Sequence, residues 1–209
     1  MTELGDAVVY IIDDDPSMRE DVADLLRTIG LQVQSFGSTQ EFLNFARPDA
    51  PGCILLDMRL PGPSGLETQR ILADLDVQLP IIFVSGYADV PTTVRALKSG
   101  AIEFLTKPLH HQQLLDAVYA AIERDRRRRE EAKALAEIRQ RFETLTPRER
   151  EVLSFVVAGQ ANKQIAAHLG LSEITVNIHR RQVMSKMQAK SVIDLVRMTD
   201  KLEASTGKK

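Results

Sequence analysis

Residues 53–67 of the chain read CILLDMRLPGPSGLE, an apolar run that ends directly at an aspartate. Runs of this length, rich in Val, Ile, Leu or Phe, are typical of strands buried on both faces of a sheet. Amphipathic helical patterns separate this run from four others of the same kind. Five strands that alternate with helices predict a doubly wound parallel α/β sheet. The predicted strands are residues 8–12, 32–36, 53–56, 81–84 and 102–105.

Polar side chains follow these strands where each strand ends. Asp13 and Asp14 follow the first strand, and Asp57 follows the third. Ser85 follows the fourth strand and Lys107 the fifth. In a doubly wound sheet these positions share one edge, where carboxylates repel one another unless a cation such as Mg²⁺ binds. Because a lysine and a hydroxyl can hold phosphate oxygens, the edge is predicted to make or hold an aspartyl phosphate.

Each of these residues also has an ordinary structural explanation. An aspartate at a strand end often caps the next helix, Ser85-Gly86 suits a turn, and Lys107-Pro108 suits a loop. The prediction therefore depends on the order and spacing of the whole set rather than on any one residue.

Four segments carry a family resemblance that covers about residues 7–122. They read IIDDDPS, LLDMRLPGPSGLE, IIFVSGYAD and KSGAIEFLTKP, and in this order they resemble the signatures of the response-regulator receiver domain. The resemblance implies that Asp57 is the phosphoacceptor. It also implies a Mg²⁺ site of Asp13, Asp14, Asp57 and the backbone carbonyl of Arg59, with Asp14 and Asp57 as direct ligands.

The same resemblance assigns the residues that respond to phosphorylation. Ser85 would be the switch hydroxyl, Phe104 the aromatic partner that follows it, and Lys107 the lysine that pairs with phosphate. A cis peptide bond before Pro108 is the family pattern. The implied surface for dimerisation consists of residues 92–100, residues 102–105 and the helix after Pro108. Arg59 and Tyr87 occupy positions at which such regulators tune hydrolysis of the acyl phosphate.

The charge distribution separates the two ends of the chain. Residues 1–123 hold 8 Lys and Arg against 18 Asp and Glu, whereas residues 144–209 hold 11 against 6. Between them, residues 124–143 hold 8 against 5 and read as a long exposed helix, in which the run Arg126–Arg129 is interpreted as a solvated face. An acidic first part and a basic last part suggest a cation as the partner of one and an anionic polymer as the partner of the other.

The last part of the chain contains a predicted helix-turn-helix. Thr146, Pro147 and Glu149 form a capping box, and a helix over residues 162–169 is followed by Gly170 and a second helix from Glu173. The amino-terminal residues of such a second helix read base edges, and neighbouring side chains contact phosphates. The candidates for base reading are Asn177, Ile178 and Arg181. The candidates for phosphate contact are Lys163, Thr175, Arg180, Lys186 and Lys190.

This region resembles the LuxR-type four-helix DNA-binding domain over its full length. The segments TPRE, ANKQIA and TVNIHR carry the resemblance, and with the receiver in front the architecture resembles the FixJ/NarL family of response regulators. One departure is Asn177, where a lysine or another long polar residue is frequent, so the role of this position differs or is lost. The family pairs its DNA-binding domains through the last helix, here about residues 191–201.

These observations predict a two-component response regulator with three segments. They are a receiver over residues 1–122, a helical linker over residues 123–143 and a DNA-binding domain over residues 144–209. The expected partners are a histidine kinase, a double-stranded DNA operator, RNA polymerase and, on phosphorylation, a second copy of the chain. No segment resembles a signal peptide or a membrane span, so the expected location is the cytoplasm.

Other classes of protein fit the sequence less well. An aspartyl-phosphate phosphatase would need a second acid two residues after its nucleophile, and that position holds Arg59. A flavodoxin-like cofactor protein would need a glycine-rich loop after its first strand. A receiver-like protein that sequesters a partner and binds no DNA is disfavoured by the basic, four-helix last part of the chain. The remaining alternative is a receiver-type interaction protein whose activity is independent of phosphorylation. The chain is therefore predicted not to be an enzyme.

Overall fold

The computed structural model describes residues 6–87 and 89–206 and contains a five-stranded parallel sheet. Across the sheet lie the second, first, third, fourth and fifth strands of the chain, in that order, and every neighbouring pair is parallel. This confirms the predicted doubly wound sheet. The expectation about a signal peptide rests partly on residues 1–5, which lie outside the described residues. The strands are β1 (Val8–Ile12), β2 (Gln32–Phe36), β3 (Gly52–Asp57), β4 (Ile81–Ser85) and β5 (Glu103–Thr106).

The helices that connect the strands begin where the sequence supplies caps. The Asp15 carboxylate accepts the backbone N–H groups of Ser17 and Met18, and Pro16 occupies the first helical turn. Ser64 and Glu67 form a capping box at the start of the third helix. The helices are α1 (Pro16–Thr28), α2 (Thr39–Asn44), α3 (Gly65–Asp74), α4 (Val90–Lys98) and α5 (His111–Glu143).

Both faces of the sheet are covered, which explains why its strands read as continuous apolar runs. Val9 and Leu55 point to one face, where they pack with Leu26 of α1 and Val118 of α5. Residues of opposite parity, such as Tyr10, pack on the other face with side chains of α2 and α3. All of these core residues are at most 2% exposed. A parallel sheet buried in this way places its ligand site at the carboxyl ends of the strands.

The strand ends differ slightly from the prediction. Asp57 and Ser85 are the last residues of β3 and β4 rather than the first residues after them. The reason is that the ladder continues: the backbone N–H of Met58 donates to Val84 at 3.0 Å, and that of Lys107 donates to Ser85 at 2.8 Å. Asp57 is therefore part of the ladder with β4, where it lies opposite Val84.

Residues 130–206 contain a separate helical core. The chain divides into two compact units at Arg129 and Glu130, inside α5, so the predicted domain boundaries stay a prediction. Ile138 of α5 packs with Val152, Ile165, Val183 and other apolar side chains in the core of the second unit. None of the helices in the described residues has the length and apolar character needed to cross a bilayer. The four helices after α5 are α6 (Pro147–Val157), α7 (Asn162–Leu169), α8 (Glu173–Met187) and α9 (Val192–Thr206).

Candidate functional site

Two carboxylates and one ammonium group meet at the carboxyl edge of the sheet. Asp13 and Asp57 are 3% and 5% exposed. The Lys107 Nζ lies 2.7 Å from Asp13 Oδ2 and 2.9 Å from Asp57 Oδ1. These three residues come from β1, β3 and the end of β5, as expected for strands whose carboxyl ends share one edge.

Backbone donors fix the orientation of both carboxylates. The Arg59 N–H donates to Asp57 Oδ2 at 2.6 Å, and the Asp15 N–H donates to Asp13 Oδ1 at 2.9 Å. With Lys107 on its other oxygen, Asp57 is held in place on both sides. Hydrogen bonds to ionised groups are short and strong, so the geometry of the two carboxylates is fixed by the protein itself.

Burial and pairing act in opposite directions on the charges of this cluster. Burial raises the pKa of Asp57 above its ordinary value, and the hydrogen bonds from Lys107 and the Arg59 backbone offset only part of this effect. Burial alone would lower the pKa of Lys107, but its bonds to Asp13 and Asp57 outweigh burial and raise that pKa. Lys107 therefore stays cationic, and the carboxylate of Asp57 becomes more basic than an exposed one.

Helix α3 packs directly against the backbone of Asp57. The N–H of Gly65 donates to the Met58 carbonyl at 3.0 Å. A Cβ at position 65 would lie 2.8 Å from the Asp57 carbonyl oxygen and 3.0 Å from the Phe83 ring. Glycine is therefore needed at this position because of the close approach between helix and strand.

The predicted switch hydroxyl faces the loop after β4. Ser85 is 1% exposed, and its Oγ donates to the Tyr87 carbonyl at 2.7 Å and accepts from the Tyr87 N–H at 3.2 Å. The guanidinium of Arg59 lies 5.5 Å from the centre of the Tyr87 ring, which is 66% exposed. The hydroxyl is thus satisfied by the backbone groups of Tyr87.

The predicted aromatic partner lies on the edge strand β5. Phe104 is half-buried, and its ring centre lies 6.3 Å from that of Phe83. The peptide bond between Lys107 and Pro108 is cis, as the resemblance implied.

The predicted metal ligands are only partly assembled. Asp14 is exposed, and the described residues contain no group of three His, Cys, Asp or Glu side chains placed to hold a metal ion. Lys107 lies between Asp13 and Asp57, where a cation was expected. The sequence placed the acids correctly at one edge but could not show that an ammonium group already balances two of them.

The second helix of the helix-turn-helix separates into a buried and an exposed stripe. Val176, Val183 and Met187 are at most 1% exposed. Ile178 is 51% exposed, and Asn177 and Arg181 are also exposed. The three candidates for base reading therefore share a face that is open to a ligand.

The candidates for phosphate contact fall into two groups. Lys163 and Lys190 are exposed. The other three are bound within the domain. The Thr175 hydroxyl pairs with Ser172 at 2.8 Å, and Arg180 donates to Asn162 at 2.9 Å. Lys186 donates to Glu149 at 2.6 Å and to the Thr144 carbonyl at 3.2 Å.

We expect Glu149→Gln to destabilise the second unit by about 1–2 kcal/mol at neutral pH, because Glu149 is buried and accepts from the charged Lys186. Burial alone would raise the pKa of Glu149, but the bonds from Lys186 and Thr146 outweigh it and lower that pKa. The stabilisation is therefore fully present above the ordinary glutamate pKa of about 4.3 and is lost as pH falls through the lower folded value. Urea denaturation across pH measures this contribution.

The matched control for that experiment is Glu151→Gln, since Glu151 pairs with Arg148 on the surface of the same helix and is 51% exposed. Such pairs contribute little. Equal stability losses in the two variants would contradict a special role for Glu149.

The arginine-rich part of α5 contains a buried carboxylate that was not predicted from the sequence. Asp125 is 0% exposed and accepts the N–H of Gly52, the first residue of β3, at 3.1 Å. Arg128 and Arg129 each donate to it at 2.7 Å. The arginine run, interpreted as a solvated face, therefore supplies the counterions of a buried acid.

Comparison with known proteins agrees with this geometry. The family model of the response regulator receiver domain matches residues 9–119, and that of the luxR family of bacterial regulatory proteins matches residues 143–199. The chain therefore belongs to the response regulators that join a receiver to a LuxR-type DNA-binding domain. It is a transcriptional regulator of the FixJ type, and the resemblance stated from the sequence is confirmed.

Three similar proteins span nearly the whole chain. Nodulation protein W of Bradyrhizobium diazoefficiens is 52% identical, over 95% of this chain and 88% of its own length. FixJ of Rhizobium meliloti is 41% identical, over 93% of this chain and 96% of its own length. The low-resolution structure of the response regulator StyR has a TM-score of 0.85 and 42% identity, and the match covers 94% of this chain and 99% of that one.

Proposed function

We propose that Asp57 accepts a phosphoryl group from a phosphohistidine of a partner histidine kinase. A carboxylate oxygen of Asp57 attacks phosphorus, a P–O bond forms, and the P–N bond breaks with its electron pair leaving on the imidazole. The observation that carries the proposal is the buried, preorganised carboxylate between the Lys107 ammonium and the Arg59 N–H. The product is an acyl phosphate on the protein.

Lys107 and Ser85 are the proposed sensors of the new group. Phosphorylation adds about −1.5 to −2 charge and three acceptor oxygens. Lys107 already contacts Asp57, so its ammonium follows the added charge. The Ser85 hydroxyl would then donate to a phosphoryl oxygen instead of the Tyr87 carbonyl. This change releases the loop after β4, and the Phe104 side chain can move into the space that the loop leaves. The switch is then a shift between two packings of the same fold.

The proposed cofactor is Mg²⁺, held by Asp14, Asp57 and the backbone carbonyl of Arg59, with Asp13 near it. Oxygen donors in this number suit Mg²⁺, which binds few protein groups and keeps several waters. When bound, Mg²⁺ neutralises the negative charge that meets at the acceptor. The Lys107 ammonium would then pair with the phosphoryl oxygens instead of the carboxylates of Asp13 and Asp57.

The proposed output is dimerisation followed by operator binding and recruitment of RNA polymerase. An apolar stripe on α4, which follows the Ser85 loop, supports a protein contact: Val90 is 76% exposed, and Val94 and Leu97 are each 41% exposed. Two copies related by a twofold axis would present two α8 helices to inverted half-sites. The candidate contacts are those of Lys163, Thr175, Asn177, Ile178, Arg180, Arg181, Lys186 and Lys190, of which Arg180 and Lys186 would first have to leave their internal partners.

The phosphoryl group serves as a signal rather than as a substrate, so we propose that the chain is not an enzyme. A regulator that reads chromosomal operators acts in the cytoplasm, and the LuxR-type domain supports that location. A protein that acts independently of phosphorylation remains the competing function.

The test compares the full chain with Asp57→Asn, in the presence of Mg²⁺ and a small phosphoryl donor. We expect the wild type to gain one phosphoryl group by intact mass, to become dimeric and to bind its operator more tightly, whereas Asp57→Asn does none of these. Asp24→Asn, which removes an exposed carboxylate of α1, is the control and should behave like the wild type. If wild type and Asp57→Asn dimerise and bind DNA equally well, the phosphorylation switch is wrong and the competing function stands.

A further inference from the structure

A cavity of about 350 Å³ lies at the sheet edge opposite to Asp57. Its walls come from the connection before β3, the connection before β4 and the turn of α5 that carries Arg128 and Arg129. Both connections lead into the amino ends of strands, whereas Asp57 ends a strand. The cavity is therefore separate from the acceptor pocket and falls in the size range of sites for small molecules.

Tyr10 contributes a hydroxyl donor to this cavity. The residue is 1% exposed, and its ring packs edge-on against Phe42 and Phe45 at centre distances of 5.5 and 6.4 Å. Across the described part of the chain its hydroxyl has no hydrogen-bond partner. The hydroxyl oxygen is not fully enclosed by protein atoms, and because Tyr10 lines the cavity, the hydroxyl is available to donate to a group bound there.

Arg47 supplies an unpaired cation beside that hydroxyl. Its guanidinium lies 4.9 Å from the Phe42 ring centre, and one terminal nitrogen donates to the Phe42 carbonyl at 3.3 Å. Within residues 6–87 and 89–206 no carboxylate pairs with it. The stacked ring and the carbonyl hold the planar group in position, which leaves other N–H groups to donate.

Arg129 completes the set of donors. Its Nε is used by the buried Asp125 and one terminal nitrogen by Asp49, so its second terminal nitrogen lacks a partner in the described chain. Asp49 is 98% exposed. At the rim Asp76 is also exposed, and its carboxylate accepts from Gln78. The buried carboxylate of Asp125 thus has hydrogen-bond partners for both oxygens. Arg47 and Arg129 in the cavity wall still have N–H groups that can donate to a bound anion.

We propose that this cavity binds a small anion with a carboxylate or phosphate group, through the guanidinium groups of Arg47 and Arg129 and the hydroxyl of Tyr10. Guanidinium groups recognise both kinds of oxyanion by paired hydrogen bonds. Because Arg129 lies on α5 and Arg47 on the connection before β3, the bound anion joins these two parts of the receiver. The site would give the regulator a second chemical input that is independent of Asp57.

Calorimetric titration of the full chain tests the proposal with two probes, inorganic phosphate and succinate, at constant ionic strength. We expect saturable binding of at least one probe, and the stronger probe identifies the class of anion. Arg47→Gln should weaken that binding about tenfold or more, and Tyr10→Phe about threefold, as expected for lost charged and neutral hydrogen bonds.

Two controls locate the site. Arg127→Gln removes an exposed arginine of the same run and should change affinity by less than about twofold. Asp57→Asn should leave the affinity unchanged. The proposal is overturned if neither probe binds saturably, if Arg47→Gln and Arg127→Gln have equal effects, or if Asp57→Asn abolishes binding.

Discussion

Arg181→Ala is expected to weaken binding to a specific operator by about ten- to hundredfold, the range for one good bidentate contact to a base pair. Arg181 is exposed on the face of α8 that also carries Asn177 and Ile178. No partner within the described residues holds its guanidinium, in contrast to Arg180, which is bound to Asn162. The fold should therefore be unaffected, and the whole effect should appear in DNA affinity.

The experiment begins with selection of bound sequences from a random DNA pool by the phosphorylated full chain. Affinities of wild type and Arg181→Ala for the selected site and for scrambled DNA are then measured over a range of salt concentrations. Lys133→Ala, which removes an exposed cation of α5, controls for the loss of one positive charge. An equal loss on both DNAs, with a salt slope reduced by about one, would make Arg181 a phosphate contact instead.

Asp125→Ala is expected to lower the free energy of unfolding of the first unit by about 3 kcal/mol, the lower end of the cost of breaking a buried ion pair. Two losses add up: the Gly52 N–H loses its acceptor, and Arg128 and Arg129 lose their shared counterion. The cost stays at the lower end because the arginine side chains are 37% and 27% exposed and can be hydrated.

Scanning calorimetry of the full chain distinguishes this effect from general damage. Two compact units predict two transitions, and only the one that belongs to residues 6–129 should move. Glu123→Gln, which breaks a surface pair with Arg126 on the same helix, should shift neither transition measurably. A shift of both transitions by Asp125→Ala would show that the carboxylate stabilises more than the receiver.

The sheet could be predicted from the sequence because its determinants are local. Apolar runs mark the strands, and Asp15, Ser64 and Thr146 cap the helices they precede. The meeting of Asp13, Asp57 and Lys107 follows from topology alone, because parallel strands end at one edge. The predicted ends of β3 and β4 were each one residue too early. The hydrogen bonds that extend these strands depend on the neighbouring strand and so are not visible in the local sequence.

Partners that are distant in the sequence could not be predicted. Lys186 and Glu149 are 37 residues apart, and Gly52 and Asp125 are 73 apart. A basic residue on a helix surface has the same sequence signal whether it contacts DNA or a buried acid of its own domain. The interpretation of Arg126–Arg129 as a solvated face was wrong for this reason, because Arg128 and Arg129 bind the buried Asp125.

The close approach of Gly65 to Asp57 has a consequence for how the receiver would respond to the proposed phosphorylation. β3 is paired with β1 and β4, and α3 lies close to the carbonyl of Asp57, so we expect this backbone to be held more firmly than that of an edge strand. β5, at the margin of the sheet, has a neighbour on one side only. Once Asp57 is phosphorylated as proposed, we therefore expect the resulting displacement on the side of Ser85 and Lys107. A kinase and a small-molecule donor should thus yield the same active conformation, with differences only in how fast it forms.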